Sequence, residues 1–180
     1  MATADSLQIR EATKADTSPI QQLIETAFQA DDSRPDWTTA VELNRSFRFP
    51  ESQVESIMAE PQSTILMATN DSGALIGVVA VTKRPENVSR IAHLAIDQQY
   101  QRGGLGRVLL ARAEQYCRET LGAKRIGLNA VSSRKPLIAW YERQGYQRTG
   151  DQLPFPVDIL LELNLPTDLY FVEMEKIVED

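Results

Sequence analysis

The 180-residue sequence contains a single cysteine, Cys117, and a single histidine, His93. One cysteine excludes an internal disulfide and a metal site built from cysteines, because both need more than one thiol. Cys117 lies within a helical pattern, which predicts a buried thiol rather than a reactive one. We therefore expect neither structural metal nor cysteine chemistry in this protein.

The sequence also has fewer positive than negative side chains and no long apolar run. The formal net charge is -6 at pH 7, and nucleic-acid binding needs a basic face, so we expect no nucleic-acid partner. No apolar run approaches the roughly 18 residues of a membrane span, and the first ten residues lack the apolar core of a signal peptide. We therefore expect a cytoplasmic protein with no membrane partner.

Hydrophobic periodicity predicts an α/β (α+β) fold: a mixed, mostly antiparallel seven-stranded sheet flanked by about four helices. We predict a disordered N-terminus over residues 1–5 and one domain over residues 6–180. Residues 31–49 are less regular, and residues 151–168 form a Pro- and acid-rich connection. The predicted strands are 7–11, 63–71, 74–84, 88–97, 124–131, 146–150 and 169–178, and the predicted helices are 14–30, 50–60, 104–121 and 132–146.

A glycine-rich turn comes immediately before the third of these helices. Gly103, Gly104 and Gly106 have no Cβ, so their backbone can approach a ligand closely. A helix that begins there offers unpaired N–H groups and a partial positive charge, and Arg102 and Arg107 can add charge-assisted hydrogen bonds. The pattern is typical of a phosphate site, although a plain glycine-rich loop would also explain it.

Two common nucleotide motifs do not fit this turn. The dinucleotide fingerprint G-x-G-x-x-G requires a third glycine where the sequence has Leu109. The P-loop requires lysine and then serine or threonine after its last glycine, where the sequence has Arg107 and Val108. The anion predicted at this turn is therefore not held by either motif.

The segment "HLAIDQQYQRGGLGRVLLARAEQY" resembles the signature of the GNAT superfamily of N-acetyltransferases. There a strand ending in Leu-Ala-Val is followed by Gln/Arg-x-x-Gly-x-Gly/Ala and a helix. The later "AWYERQGYQRTG" resembles a second family motif, with Tyr141 on its tyrosine, and "FVEMEK" resembles the last strand. The resemblance spans residues 7–178 and implies the acyl-CoA N-acyltransferase fold.

The resemblance also implies a ligand, acetyl-coenzyme A, held in two places. The backbone of one strand pairs with the pantetheine arm, and the glycine turn binds the pyrophosphate. The corresponding strand residues are Leu94, Ala95 and Ile96, which also fit a plain sheet core. The corresponding turn residues are Gln101, Arg102, Gly103, Gly104, Leu105, Gly106 and Arg107.

The same resemblance implies that Tyr141 protonates the departing thiolate, although packing beside Trp140 would also explain this residue. The family often has asparagine seven positions earlier, where this chain has Arg134, which we expect to contact the cofactor instead. Asn129 lies on a strand and is not that asparagine.

The general base is not identified by the sequence. Family members place a glutamate or histidine at points matching Arg90 or Ala92, and neither residue can accept a proton from the amine. His93 has the opposite parity to Arg90 and Ala92, so its side chain faces the opposite side of the strand unless a β-bulge changes the alternation. We therefore predict a structural role for His93. Other candidates are Glu25, Asp31, Asp32 and the acids of residues 151–168.

For the acceptor, the resemblance implies a site between residues 28–49 and residues 151–168. The aromatic residues there fit either a pocket wall or a core or dimer interface, and the acidic residues fit either a site for a cationic amine or a solvated loop. The aromatic residues are Trp37, Phe47, Phe49 and Phe155, and the acidic residues are Asp151, Asp158, Glu162 and Asp168.

The leading functional hypothesis is N-acetylation of a primary amine of a small molecule, by direct attack on acetyl-CoA in a ternary complex. A second hypothesis is acetylation of a protein N-terminus or lysine. A third is a non-catalytic acyl-CoA-binding sensor, against which the tyrosine at position 141 argues. The acceptor, the use of other acyl groups and the formation of a homodimer stay open.

Overall fold

The computed structural model describes residues 7–30 and 41–178. Within these ranges it contains seven β-strands, six α-helices and two short 3-10 turns. The strands are β1 (Gln8–Glu11), β2 (Ser63–Thr69), β3 (Leu75–Arg84), β4 (Val88–Ile96), β5 (Arg125–Val131), β6 (Gln147–Pro154) and β7 (Tyr170–Ile177). The helices are α1 (Thr17–Gln29), α2 (Val41–Ser46), α3 (Glu51–Ala59), α4 (Leu105–Glu119), α5 (Lys135–Arg143) and α6 (Val157–Glu162).

All seven strands form one sheet, in the order β1-β2-β3-β4-β5-β7-β6. Five of the six neighbouring pairs are antiparallel, and only β4 and β5 run parallel. Four of the helices have nine or more residues, so the predicted fold class, a mostly antiparallel seven-stranded sheet with about four substantial helices, is confirmed.

The two faces of the sheet carry different helices. On one side, called here the α1 face, α1 and α3 pack against alternate residues of β2 and β3, including Met67 and Val78. On the other side, the α4 face, the intervening residues such as Val79 contact α4. The alternation follows from the two-residue period of a strand.

Close packing of α4 on the sheet depends on Gly77 in β3. A Cβ at that position would lie 2.7 Å from Ile96 Cδ1 and 2.9 Å from Leu109 Cδ2. Leu109 has no exposed surface. Because the glycine leaves this space open, the N-terminal half of α4 comes down onto the sheet beside the end of β4.

The Pro- and acid-rich connection predicted over residues 151–168 contains secondary structure that the sequence pattern did not predict. Its first residues extend β6, and its middle forms α6, where Leu160 is buried in a third apolar core. A six-residue helix shows too few turns to give a period, and such a short helix is stabilised by tertiary contacts rather than by its own propensity. This third core consists of Phe155, Leu160, Leu165 and Leu169, with Leu43, Val131, Ile159, Leu163 and Phe171 packed against it.

Several sequence predictions fall on residues outside the described ranges. They concern the disordered N-terminus and the residues Asp31, Asp32 and Trp37. In the two described ranges, no helix combines the length and apolar character that a membrane crossing requires. The same two ranges contain no group of three or more histidine, cysteine or acidic side chains placed to hold a metal ion.

Candidate active site

The parallel strands β4 and β5 separate after three residue pairs. Their ladder joins Val88 to Arg125, Ser89 to Ile126 and Arg90 to Gly127, and it stops there. Beyond this point β4 stays paired to β3, and β5 stays paired to β7. The two strands therefore form a V-shaped cleft, as the resemblance implies, and one backbone edge of β4 faces that cleft.

The glycine turn lies where β4 ends. Gly104 is the N-cap of α4 with a φ of 76°, a left-handed conformation that suits glycine. The side-chain amide of Gln101 donates to the carbonyl oxygen of Ile96 at 3.1 Å and ties the turn to the strand. A Cβ on Gly106 would be 3.9 Å from both Ile96 Cγ1 and Trp140 Cζ2. The start of α4 thus lies beside β4 and α5, at the cleft.

The side chains at the end of β4 are used for packing. Leu94 and Ile96 pack against the core of the α4 face, and Ala95 is buried in the core of the α1 face. What this part of the strand can offer a ligand in the cleft is therefore its backbone N–H and C=O groups. The predicted sheet-core role and the predicted pantetheine contact are compatible here.

Tyr141 is 8% exposed in α5 and makes edge contacts with Trp140 and Tyr146, with ring centroids 5.0 Å and 5.8 Å away. Burial raises the pKa of Tyr141 to about 12, while the positive charge of Arg134 acts in the opposite direction. The phenol is therefore neutral at pH 7. Its hydroxyl donates to none of the side chains in the described ranges, so the proton is available to a ligand.

Arg134 connects the start of α5 to α1. It is the N-cap residue of α5, and its backbone carbonyl accepts from the N–H of Ile138 at 3.0 Å. Its guanidinium carbon lies 5.9 Å from the centre of the Phe28 ring, a cation–π arrangement. Its positive charge is close enough to Tyr141 to offset part of the rise in the pKa of that phenol. Arg134 therefore sits at one end of the candidate site.

A β-bulge in β4 changes the expected position of His93. Val78 pairs with Ala95 while Ala80 pairs with Ala92, so β4 has one extra residue in this interval. His93 takes a φ of 52°, and its ring centroid lies 4.7 Å from that of Phe49 on the α1 face. The bulge that the sequence left open is therefore present, and it places the imidazole on the α1 face. Burial lowers the pKa of His93 and keeps the imidazole neutral at pH 7.

Phe49 belongs to an aromatic row that also contains Phe28 and Phe47. The centroid distances are 4.8 Å from Phe28 to Phe47 and 6.1 Å from Phe47 to Phe49. The Glu25 carboxylate accepts the backbone N–H of Phe49 at 2.9 Å and thereby fixes the row to α1. This aromatic row forms one wall beside β4.

Other residues predicted for the acceptor site do not join this wall. Phe155 stacks on Phe171, with centroids 5.2 Å apart, and belongs to the third core. The acidic residues of the 151–168 segment are all exposed, which fits a solvated surface rather than a site where carboxylates converge on a ligand. They are Asp151, Asp158, Glu162 and Asp168.

Three polar residues that sequence reasoning did not bring together meet on the α1 face. The Arg90 guanidinium binds the Glu173 carboxylate through both terminal nitrogens, and Asn129 Nδ2 donates to Glu173 Oε1 at 3.0 Å. We call these three residues the polar strip. Burial opposes ionisation of Glu173, but the hydrogen bonds from Arg90 and Asn129 and the charge of Arg90 outweigh it and lower the pKa of Glu173.

Comparison with known proteins agrees with this geometry. The family model described as "Acetyltransferase (GNAT) family" matches residues 20–146, which include the bulged strand, the glycine turn and Tyr141. The chain belongs to the GNAT family. No curated protein sequence matches this GNAT domain.

Several solved structures share the fold. The ribosomal-protein-S18-alanine N-acetyltransferase of Escherichia coli has a TM-score of 0.71 at 16% identity, covering 97% of this chain and 95% of that one. Ard1 of Thermoplasma volcanium has a TM-score of 0.72 at 18% identity, with 97% and 99% covered. The spermidine/spermine N-acetyltransferase SpeG of Vibrio cholerae has a TM-score of 0.68 at 17% identity, with 98% and 95% covered.

The polar strip of this GNAT domain makes stability depend on pH in a defined direction. Glu173 has a lowered pKa in the folded state, so its contribution is present above the unfolded pKa of about 4.3 and is lost as pH falls through the folded value. We expect Glu173→Gln to lower the free energy of unfolding by about 1–3 kcal/mol at pH 7. The difference from the wild type should shrink below about pH 4.

Urea unfolding at pH 7 and in acid measures this difference. The control is Glu60→Gln, which removes an exposed ion pair with Arg84 and should cost less than about 1 kcal/mol. Equal losses of unfolding free energy for the two variants at pH 7 would mean that Glu173 stabilises the fold no more than an exposed ion pair does.

Proposed function

We propose that this GNAT domain transfers the acetyl group of acetyl-CoA to a primary amine of a small molecule, by direct attack in a ternary complex. The observation that carries the proposal is the cleft between β4 and β5, which opens beside the glycine turn at the start of α4. Backbone hydrogen-bonding groups and a helix N-terminus therefore lie together at one end of the sheet.

The cleft fits the two ends of acetyl-CoA, which supplies the thioester. The positive φ of Gly104 and the missing Cβ of Gly106 leave the N–H groups at the start of α4 open to a pyrophosphate. The β4 backbone supplies partners for the amides of the pantetheine arm. We assign the cofactor contacts to Leu94, Ala95, Ile96, Gln101, Arg102, Gly103, Gly104, Leu105, Gly106, Arg107 and Arg134.

We assign the reaction to groups on both sides of the cleft. The amine nitrogen attacks the thioester carbonyl, and a backbone N–H near the bulge stabilises the oxyanion. His93 accepts the amine proton, directly or through one water, since its imidazole is neutral and lies on the α1 face. The carbon–sulfur bond then breaks, and Tyr141 donates its proton to the departing thiolate.

A protein N-terminus is the second candidate acceptor. Two structures that share the fold at TM-scores of 0.71 and 0.72 carry the names ribosomal-protein-S18-alanine N-acetyltransferase and Ard1, while a third, at 0.68, is a spermidine/spermine N-acetyltransferase. At 16–18% identity these likenesses support the fold and do not choose between acceptors.

The activity is tested by the release of coenzyme A thiol from acetyl-CoA over a panel of amines and peptides. We expect release that depends on the presence of a primary amine and produces the N-acetylated amine, identified by mass spectrometry. Cofactor binding without turnover on any amine or peptide would overturn the catalytic proposal and favour a sensor.

The pyrophosphate site is tested at Gly104 with two variants. Gly104→Ala adds only strain at a φ of 76°, since a Cβ there meets no atom within 4 Å, whereas Gly104→Glu also adds negative charge. We expect Gly104→Glu to abolish coenzyme A binding in calorimetry and Gly104→Ala to weaken it far less, because like charges repel at the phosphate site. Equal affinities for the two variants would rule out an anion at this turn.

The two proton-transfer roles are separated by pH–rate profiles of His93→Gln and Tyr141→Phe. Burial places the pKa of His93 below its usual value of about 6.5, so wild-type kcat/KM should rise with pH through that lower pKa. We expect His93→Gln to lose this acidic limb. Tyr141→Phe should keep the limb and lower kcat by roughly a hundredfold or more, with coenzyme A affinity unchanged. An acidic limb that persists in His93→Gln assigns the base elsewhere.

A further inference from the structure

The polar strip lies in the middle of the sheet and is only partly covered. β4 and β5 are interior strands, yet Ala92 and Asn129 are both exposed on their α1 face. Interior strands are normally covered on a face that carries helices. Here the aromatic row covers one side of the opening and the third core covers the other. We call this exposed polar patch, which lies between apolar clusters on the same face of the sheet, the floor.

The exposed charge on this floor is positive. Both oxygens of the Glu173 carboxylate already accept hydrogen bonds, and its side chain is 12% exposed. Arg90 is 30% exposed, and a guanidinium has five N–H groups, of which the carboxylate takes two. A ligand that reaches the floor therefore meets hydrogen-bond donors that carry positive charge.

The position of Arg90 depends on Gly127, its partner in the last residue pair of the β4–β5 ladder. A Cβ on Gly127 would lie 3.0 Å from Arg90 Nη1 and 3.4 Å from its Cδ. The arginine side chain therefore crosses β5 over the glycine and reaches Glu173 on β7. Gly127 leaves room for the arginine side chain, and Glu173 binds its guanidinium. The guanidinium is therefore ordered before any ligand binds.

We propose that Arg90 is a specificity residue that binds a carboxylate or carbonyl oxygen of the acceptor. This inference rests on the proposed function. It favours acceptors that combine an amine with an oxygen group at a distance, and it disfavours polyamines, whose second ammonium would meet the guanidinium with like charge.

The strand fixes the length of such an acceptor. Arg90 lies four residues before Leu94, which is near the proposed oxyanion donor. One of these residues belongs to the bulge and adds less than a full rise, so about three residues contribute to the distance. At roughly 3.3 Å per residue, the Cα atoms of Arg90 and Leu94 lie about 10 Å apart along the strand, and the arginine side chain extends sideways from there toward Glu173. An extended peptide of three residues spans about the same distance. The acceptor class is therefore an amine with an oxygen group on the order of 10 Å away, such as a long ω-amino carboxylate or a peptide N-terminus.

Two substrates of equal chain length test the charge preference. They are 8-aminooctanoate and 1,8-diaminooctane, which differ only at the far end. We expect kcat/KM of the wild type to favour the carboxylate roughly ten- to a hundredfold, the range of a hydrogen bond to a charged group. Arg90→Gln should abolish the preference. Arg84→Gln, which breaks an exposed ion pair on β3, should retain it.

Gly127→Ala gives a second test that keeps every charge. The new methyl group would crowd Arg90 Nη1 and push the guanidinium aside by a few tenths of an ångström, so we expect a smaller preference in a variant that still folds. Triglycine and hexaglycine separate the two oxygen sources, because only triglycine ends in a carboxylate at the required length. Preference for triglycine indicates a terminal carboxylate, and equal use indicates a chain carbonyl.

Some outcomes overturn the inference. One is a wild-type preference for the diamine, and another is an unchanged ratio in a folded Arg90→Gln or Gly127→Ala variant. Absence of turnover with every amine would instead refute the proposed function. In that case, calorimetric binding of 8-aminooctanoate in the presence of coenzyme A still decides whether Arg90 selects the carboxylate.

Discussion

The early end of the β4–β5 ladder is the constraint on which the site depends. Three parallel residue pairs hold the two halves of the sheet together, and each strand then follows its antiparallel neighbour, β3 or β7. The edge of β4 that would have paired with β5 has backbone groups without a neighbouring strand, although Gln101 binds the Ile96 carbonyl. Inside a folded protein such groups need a partner, and the cleft provides space for a peptide-like ligand to supply it.

The bulge in β4 has a comparable effect on the side chains. One extra residue places His93 beside Phe49 on the α1 face, while Leu94 and Ile96 still pack against the α4 face. The backbone edge of β4 therefore faces the cleft, its imidazole lies on the α1 face, and its apolar side chains pack in the core. Bulges often re-aim a side chain next to an active site, and this one changes the role assigned to His93.

The electrostatics of the site follow from burial. Desolvation keeps His93 and Tyr141 neutral at pH 7, so one can accept a proton and the other can donate one. Glu173 stays ionised because Arg90 and Asn129 bind it. The strip therefore carries no net charge, yet the guanidinium is the more exposed member of the pair.

The sequence by itself determined the order of strands and helices, the glycine turn and the position of Tyr141, because these depend on local periodicity and short-range motifs. It missed α6 and α2, whose six residues each give no readable period, and it left open whether a bulge re-aims His93. Only the tertiary structure decided where β4 and β5 separate and that Arg90 reaches Glu173, 83 residues away in the chain. The physical reason is that a bulge and a cross-strand ion pair depend on contacts between segments distant in sequence. Local sequence patterns do not predict the energies of such contacts.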